Sequence, residues 1–187
     1  MNSNWYNTAA SEVADFDFQA MSYNNTCYHG TFFGEDGFFD ELDAEMSDFG
    51  AIWVTPDEIA AEGFSENGSE EGTVRGIFKI NVNLRNIVII DKSPQWKTFR
   101  DMMGCEDDLR DCIPYLERQG YDGWFTTGWL GSYDSIIYED IAIFGGGNFS
   151  VQSVKLFVDG KWTEYMSVAE AKELIENFSA PADELVS

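Results

Sequence analysis

The apolar positions of this chain fall in short blocks, separated by stretches rich in glycine, serine and acids. Residues 74–80 and 85–90 are β-branched runs and predict two strands. Residues 50–54 (GAIWV), 124–127 and 135–144 predict three more, and 28–31 (YHGT) reads as the end of another short strand. Residues 151–158 and 161–166 predict a hairpin around Asp159-Gly160. Helical spacing is rarer. Thr55-Pro56-Asp57-Glu58 has the composition of a helix start, with Thr55 as N-cap, Pro56 as the first helical residue and Glu58 as the reciprocal acid. Ile59, Ala60, Gly63 and Phe64 then recur on one helical face. Ser93-Pro94 opens a second helix, with Trp96, Phe99 and Met103 in one stripe. A third covers 107–118 and is interrupted or restarted at Pro114, whose nitrogen has no hydrogen to donate. Ser167-Val168-Ala169-Glu170 is a second capping box and starts a last helix over 167–178.

The segments between these blocks are breaks. Residues 1–26 are polar and acidic with scattered aromatics and predict an irregular or partly helical lead-in. Residues 32–49 predict a long loop with a helical turn at 39–46, and 65–73 an exposed loop. Gly120-Tyr121-Asp122-Gly123 is a turn, Gly145-Gly146-Gly147-Asn148 ends the strand before it, and 179–187 is a frayed tail. Internal repeats are absent. Strands and helices are intermixed, so the fold class is α+β. At 187 residues the chain makes a single domain over 1–187.

Composition narrows the function classes. No apolar run is long enough to span a bilayer, and the N-terminal MNSNWYNTAA has neither a basic nor an apolar segment. A soluble, unexported, cytoplasmic protein with no membrane partner is expected. Cys27, Cys105 and Cys112 lack CxxC spacing, and His29 is the sole histidine, so no metal site is expected and the cysteines read as reduced core thiols. Thirty-four acids against eleven bases give a net charge of −23, which repels nucleic acid rather than binding it. That charge reads either as a solvated acidic face or as a surface that approaches a basic partner or imitates DNA.

Four segments carry the candidate chemistry: YHGT at 28–31, GAIWV with TPDEIAAEGF over 50–64, GYDGW at 120–124, and YEDIAIF at 138–144. In order and content they resemble the ADP-ribosyltransferase fold, in its diphtheria-toxin-like and poly-ADP-ribose-polymerase-like branch with a His-Tyr-Glu triad. The resemblance covers roughly residues 27–157 and extends to small phage and bacterial members, including anti-CRISPR ADP-ribosyltransferases. It implies a split β-sheet core with short flanking helices, and NAD as substrate. His29 would bond the adenosine ribose. Gly30 would present its backbone to the nicotinamide carboxamide, a close approach that a residue without Cβ permits. Thr31 follows as the small hydroxyl. Trp53 stands where the family commonly has tyrosine, and Thr55 at the Ser/Thr position after it. Phe64 or Tyr121 would wall the nicotinamide.

The third triad member is an acid on a late strand. Position, four residues before the final aromatic Phe144, favours Asp140; residue type favours Glu139. Strand side chains alternate, so only one of the two can enter a given cleft. The need for a carboxylate follows from the chemistry. Breaking the nicotinamide–ribose bond passes through an oxocarbenium-like state, and a fixed carboxylate stabilises that positive charge.

The same residues have plainer readings. Trp53 and Phe64 also read as core residues, GYDG as an ordinary turn, and Glu139-Asp140 as an exposed break in an edge strand. The function implied by the resemblance is a mono-ADP-ribosyltransferase acting on a protein target, one that is basic or nucleic-acid-binding, as a phage-encoded effector in a host cytoplasm. The alternatives are an NAD glycohydrolase and a catalytically inactive acidic protein that blocks a basic partner.

Overall fold

The computed structural model describes residues 18–33, 51–66, 73–90, 98, 101, 112–127, 139–145 and 148–179. Seven strands make one mixed sheet: β1 (Ala20–Phe33), β2 (Ala51–Val54), β3 (Val74–Ile90), β4 (Gly123–Thr127), β5 (Glu139–Phe144), β6 (Phe149–Val158) and β7 (Lys161–Trp162). Among the described residues, helices α1 (Glu58–Glu66), α2 (Ile113–Arg118) and α3 (Val168–Ser179) accompany it. The expected α+β class is what these residues form.

The sheet is organised by β3. Residues 74–80 and 85–90 are not two strands but parts of a single strand of 17 residues. The polar residues between them alternate with apolar ones, so Asn81, Asn83 and Arg85 face out while Val82 and Leu84 are buried. Along one edge β3 pairs with β1, antiparallel from Val74 to Val88. Along the other it pairs first with β6 and then, in parallel from Ile87 to Ile90, with β4. Beyond β4 the order continues through β5 to β2.

The expected short strand at 28–31 is the last part of a strand of 14 residues that begins inside the lead-in. Asn24 and Asn25 disfavour a strand; pairing with β3 holds them extended. β7 is shorter than the sequence predicts, and its continuation meets β6 through a bridge between Met166 and Val154. The β6–β7 turn has positive φ at both Asp159 (52°) and Gly160 (77°), which suits a two-residue hairpin.

Helix starts differ from expectation in one place. Asp57, not Thr55, caps α1: Ile59 N donates to Asp57 Oδ1 at 2.9 Å and Ala61 N to the Asp57 carbonyl at 3.1 Å. Thr55 is unavailable because its backbone N–H and C=O are both bonded to Tyr28, which keeps it extended. The buried face of α1 is correspondingly rotated to Ala60, Ala61 and Ser65, and Ile59 is 78% exposed. Pro114 lies in the first turn of α2, as a helix restarted there requires, and residues 107–111 of the expected helix lie outside the described residues. The capping box at Ser167 forms as expected, with Glu170 Oε2 accepting from Ser167 N at 2.8 Å. The helix expected after Ser93 lies outside the described residues except for helical Thr98 and Asp101, as do the helical turn at 39–46, the loop at 67–72, and residues 135–138 of the predicted late strand. Cys27 is a buried free thiol, but Cys112 is disulfide-bonded, so the expectation of three reduced cysteines does not hold.

The GYDG turn is a structural joint. Gly120 (φ 85°) ends α2 in a Schellman arrangement, donating to Glu117 O at 2.9 Å while Tyr121 N donates to Leu116 O at 3.1 Å. The Asp122 carboxylate accepts from Arg85 N and Asn86 N, both at 2.8 Å, and so ties β3 to the start of β4. A Cβ on Gly123 would meet the Ala142 carbonyl oxygen at 2.5 Å. Replacing Asp122 by alanine leaves two backbone donors without this acceptor and is expected to cost about 2 kcal/mol. Urea unfolding of the two proteins measures it, and equal midpoints refute the role.

Two apolar clusters fill the two sides of the sheet. One gathers Ile52, Val54, Ile80, Leu84, Ile141 and Ile143 among others; the second gathers Val88, Ile113, Leu116, Trp124, Ala142 and Phe144. Alternation along β5 sends Ile141 and Ile143 to the first and Ala142 and Phe144 to the second. β5 runs between β2 and β4 over Ile141–Phe144, whereas Glu139 and Asp140 pair with β4 alone and lie at a local edge on the β2 side.

Candidate functional site

The sheet splits beside Asp140. β2 follows β5 as far as the Val54–Ile141 pair, and the next residue, Thr55, leaves β5 and bonds Tyr28 of β1 instead. Tyr28 N donates to Thr55 O at 2.7 Å and Thr55 N to Tyr28 O at 2.9 Å. These two bonds close β1, β3, β4, β5 and β2 into a ring. At Asp140, β5 is therefore paired on the β4 side, opposite Thr126, whose hydroxyl donates to the Asp140 carbonyl at 3.1 Å. A cavity of about 360 Å³ opens at this divergence, lined by Tyr28, His29, Gly30, Trp53, Val54, Phe64 and Asp140. Its walls come from three strands and one helix, and its size lies at the low end for small-molecule sites.

Each wall has a local cause. His29 is fixed across the split by a 2.6 Å bond between Nδ1 and the Trp53 carbonyl oxygen. A carbonyl only accepts, so Nδ1 carries the proton and Nε2 of the neutral ring is left as an acceptor for a ligand. Burial lowers the His29 pKa, and the Trp53 carbonyl opposes this less strongly, so the ring is neutral at pH 7. Trp53 is backed by a file of aromatics, with its ring centroid 5.4 Å from Trp124 and Trp124 in turn 5.3 Å from Phe144. Asp140 shares the β5 face of Ala142 and Phe144 and ends it at the cavity. It is 9% exposed, and burial pushes its carboxyl up to about 6. A raised carboxyl in a cleft makes Asp140 a candidate functional position.

Helix α1 supplies Phe64 and is clamped to the sheet. Lys155 on β6 reaches both Glu58 and Glu62, with Nζ 2.9 Å from Glu62 Oε1, and lies 4.7 Å from the Trp162 ring centroid. Gly30 is where the helix touches β1. A Cβ there would sit 1.9 Å from the Ala61 carbonyl oxygen.

The structure thus brings together His29, Gly30, Trp53, Phe64 and Asp140 of the residues singled out by sequence. Thr31 is buried on β1, paired with Gly76, and does not line the cavity. Thr55 is also off the lining; its hydroxyl accepts from Asp57 N at 3.2 Å, and its role is to make the strand crossing and support the helix start. Tyr121 packs on the second apolar cluster, edge-on to Phe18 at 6.4 Å, and is not a cavity wall. Glu139 pairs with Thr127, and its side chain lies outside the described set. Tyr28 also lines the cavity, within the YHGT segment but with no role assigned to it from sequence. Burial, and then the Glu58 carboxylate, raise its phenol pKa. Alternation puts it on the opposite strand face from His29, so it enters only because β1 forms the rim of the split.

No family model matches the chain, and no curated protein matches it. Among solved structures, that of the M. tuberculosis MbcT-MbcA toxin–antitoxin complex is similar, with a TM-score of 0.45 and 12% identity over 94% of this chain and 98% of that one.

Proposed function

We propose that this cavity binds NAD and cleaves its nicotinamide–ribose bond, passing ADP-ribose to a protein side chain. The observation that carries the reading is the meeting of His29, Trp53, Phe64 and Asp140, which lie far apart in sequence, in one cavity at a split in the sheet. Trp53 and Phe64 offer aromatic surface to the nicotinamide ring. His29 Nε2 accepts a hydrogen bond from a ribose hydroxyl. When the bond from ribose C1′ to the ring nitrogen breaks, its electron pair goes to nicotinamide, which leaves neutral, and the positive charge moves to the ribose. The Asp140 carboxylate stabilises that charge. A lone pair of the acceptor side chain then closes on C1′, and the acceptor's proton passes to Asp140 or to water.

Incubation with labelled NAD and a cell lysate tests this. Protein labelling is expected, falling about a hundredfold in His29→Ala through loss of ribose positioning. Free ADP-ribose without labelled protein identifies a glycohydrolase instead. If NAD is neither consumed nor transferred, the proposal fails.

One observation favours a second reading, the net charge of −23. An acidic protein of this kind docks on a basic surface by field complementarity. It would then bind a partner in a salt-sensitive way, with His29→Ala making no difference.

A further inference from the structure

The charge of this chain is unevenly spread. Strands β1, β3, β6 and β7 contain no aspartate or glutamate, so all thirty-four acids lie elsewhere. Five of the eleven bases, Arg75, Lys79, Arg85, Lys155 and Lys161, lie in these strands. Burial excludes acids from the core side of a strand. It does not exclude them from the outer side of β3, where Lys79, Asn81, Asn83 and Arg85 alternate with the buried Ile80, Val82 and Leu84. On β1, Thr26 lies opposite Asn81 and Asn24 opposite Asn83, so this outer face continues across both strands. Helix α1 covers its other end, at Gly30, whereas Asn24, Asn81, Asn83 and Arg85 are exposed.

Lys155 and Arg75 are committed within the fold, the first to Glu58 and Glu62 and the second to Glu66. Lys79 and Arg85 differ. Among the described residues neither side chain is in an ion pair, and Lys79 lies 5.6 Å from the Tyr165 ring centroid. Asp122, at the end of the row, turns its carboxylate to the backbone N–H groups of Arg85 and Asn86. We infer that this face docks an extended acidic segment of a partner protein, which runs along β3 with carboxylates at Lys79 and Arg85. These two lie six positions apart on one strand, a span of about 20 Å. Between them, the side-chain amides of Asn81 and Asn83 both donate and accept, which suits the N–H and C=O groups of a peptide; a phosphodiester only accepts. The row from Lys79 to Arg85 also presents no aromatic ring on which a base could stack. Acids farther off than a Debye length, about 8 Å, are largely screened and leave the local field of the two cations in place. The inference does not depend on what the cavity binds.

NMR titration of the isotope-labelled full chain tests it. The probe is a short serine–threonine peptide carrying two aspartates at the Lys79–Arg85 spacing, and its control carries asparagine at both positions. The aspartate peptide is expected to shift the side-chain amides of Asn81 and Asn83. It should bind about tenfold more tightly than the control, the scale of two exposed ion pairs, and added salt should remove most of that difference. Arg85→Glu, a change at an exposed position, is expected to abolish the preference for aspartate. Equal binding of the two peptides overturns the inference, as do shifts confined to other parts of the chain, an Arg85→Glu protein that keeps the preference, or no binding. An oligothymidylate that binds more tightly than the aspartate peptide overturns it in favour of nucleic acid.

Discussion

Asp140→Asn is expected to slow NAD cleavage by about 10²–10³-fold, the scale of losing one preorganised electrostatic contact to a transition state, while making the folded protein more stable at neutral pH. Both effects have one source. Burial raises the Asp140 carboxyl from 3.8 to about 6, so the native state holds this proton more tightly than the unfolded chain does. The stability from that difference is fully present below about pH 4 and is lost as pH rises through about 6. A shift of this size corresponds to at most about 3 kcal/mol. Asparagine has no charge to desolvate. The gap between variant and parent should therefore be small at pH 4 and grow to about 1–2 kcal/mol in the variant's favour at pH 8. Chemical denaturation at pH 4, 6 and 8 measures it; a gap that does not widen with pH removes the burial argument. Activity runs the other way. The ionised carboxylate is the working form, so kcat/KM should rise through about pH 6 and then level, with His29 neutral because burial lowers its pKa. On the proposed function, the site keeps a charge that costs stability because NAD cleavage needs it.

The choice between Glu139 and Asp140 shows what sequence can supply. Spacing to Phe144 favoured Asp140, residue type favoured Glu139, and alternation allowed only one of them into a given cleft; among the described residues Asp140 lines the cavity, and the Glu139 side chain lies outside them. What spacing could not supply is the reason a cavity exists there. That depends on Thr55 leaving β5 for Tyr28, a pairing between residues 27 positions apart with no local signature. The same long-range pairing displaced the helix cap from Thr55 to Asp57, where local composition alone predicted otherwise. β3 was legible in principle, since Asn81 to Arg85 alternates polar and apolar residues; β1 was not, because its asparagines are extended only by their partner strand. The GYDG turn resembled a functional motif, yet its aspartate and both glycines are accounted for by backbone hydrogen bonds, a helix end and close packing.

Gly30 is where the helix that carries Phe64 rests on the strand that carries His29, and Gly30→Ala is expected to separate them. The added Cβ would lie 1.9 Å from the Ala61 carbonyl oxygen and 2.9 Å from Ser65 N. Both are backbone atoms, so no side-chain rotation relieves the contact and α1 must move off β1. The helix resists, because Lys155 holds Glu58 and Glu62 to β6. A strained compromise should cost about 3 kcal/mol, at the upper end for overpacking. Gly63, on the same helix, is the control. A Cβ there meets nothing within 4 Å, so Gly63→Ala should stabilise by about 0.5–1 kcal/mol through helix propensity alone. Opposite shifts in urea midpoint for these two glycine-to-alanine changes establish the close approach; a Gly30→Ala protein as stable as its parent excludes it. The functional readout follows from the same geometry. Moving α1 carries Phe64 away while His29 stays bonded to Trp53 and Asp140 stays on β5, so ligand affinity should fall more than the rate of the bound complex. The glycine of the His-Gly-Thr segment is thus required by helix packing, whether or not its backbone also meets a ligand.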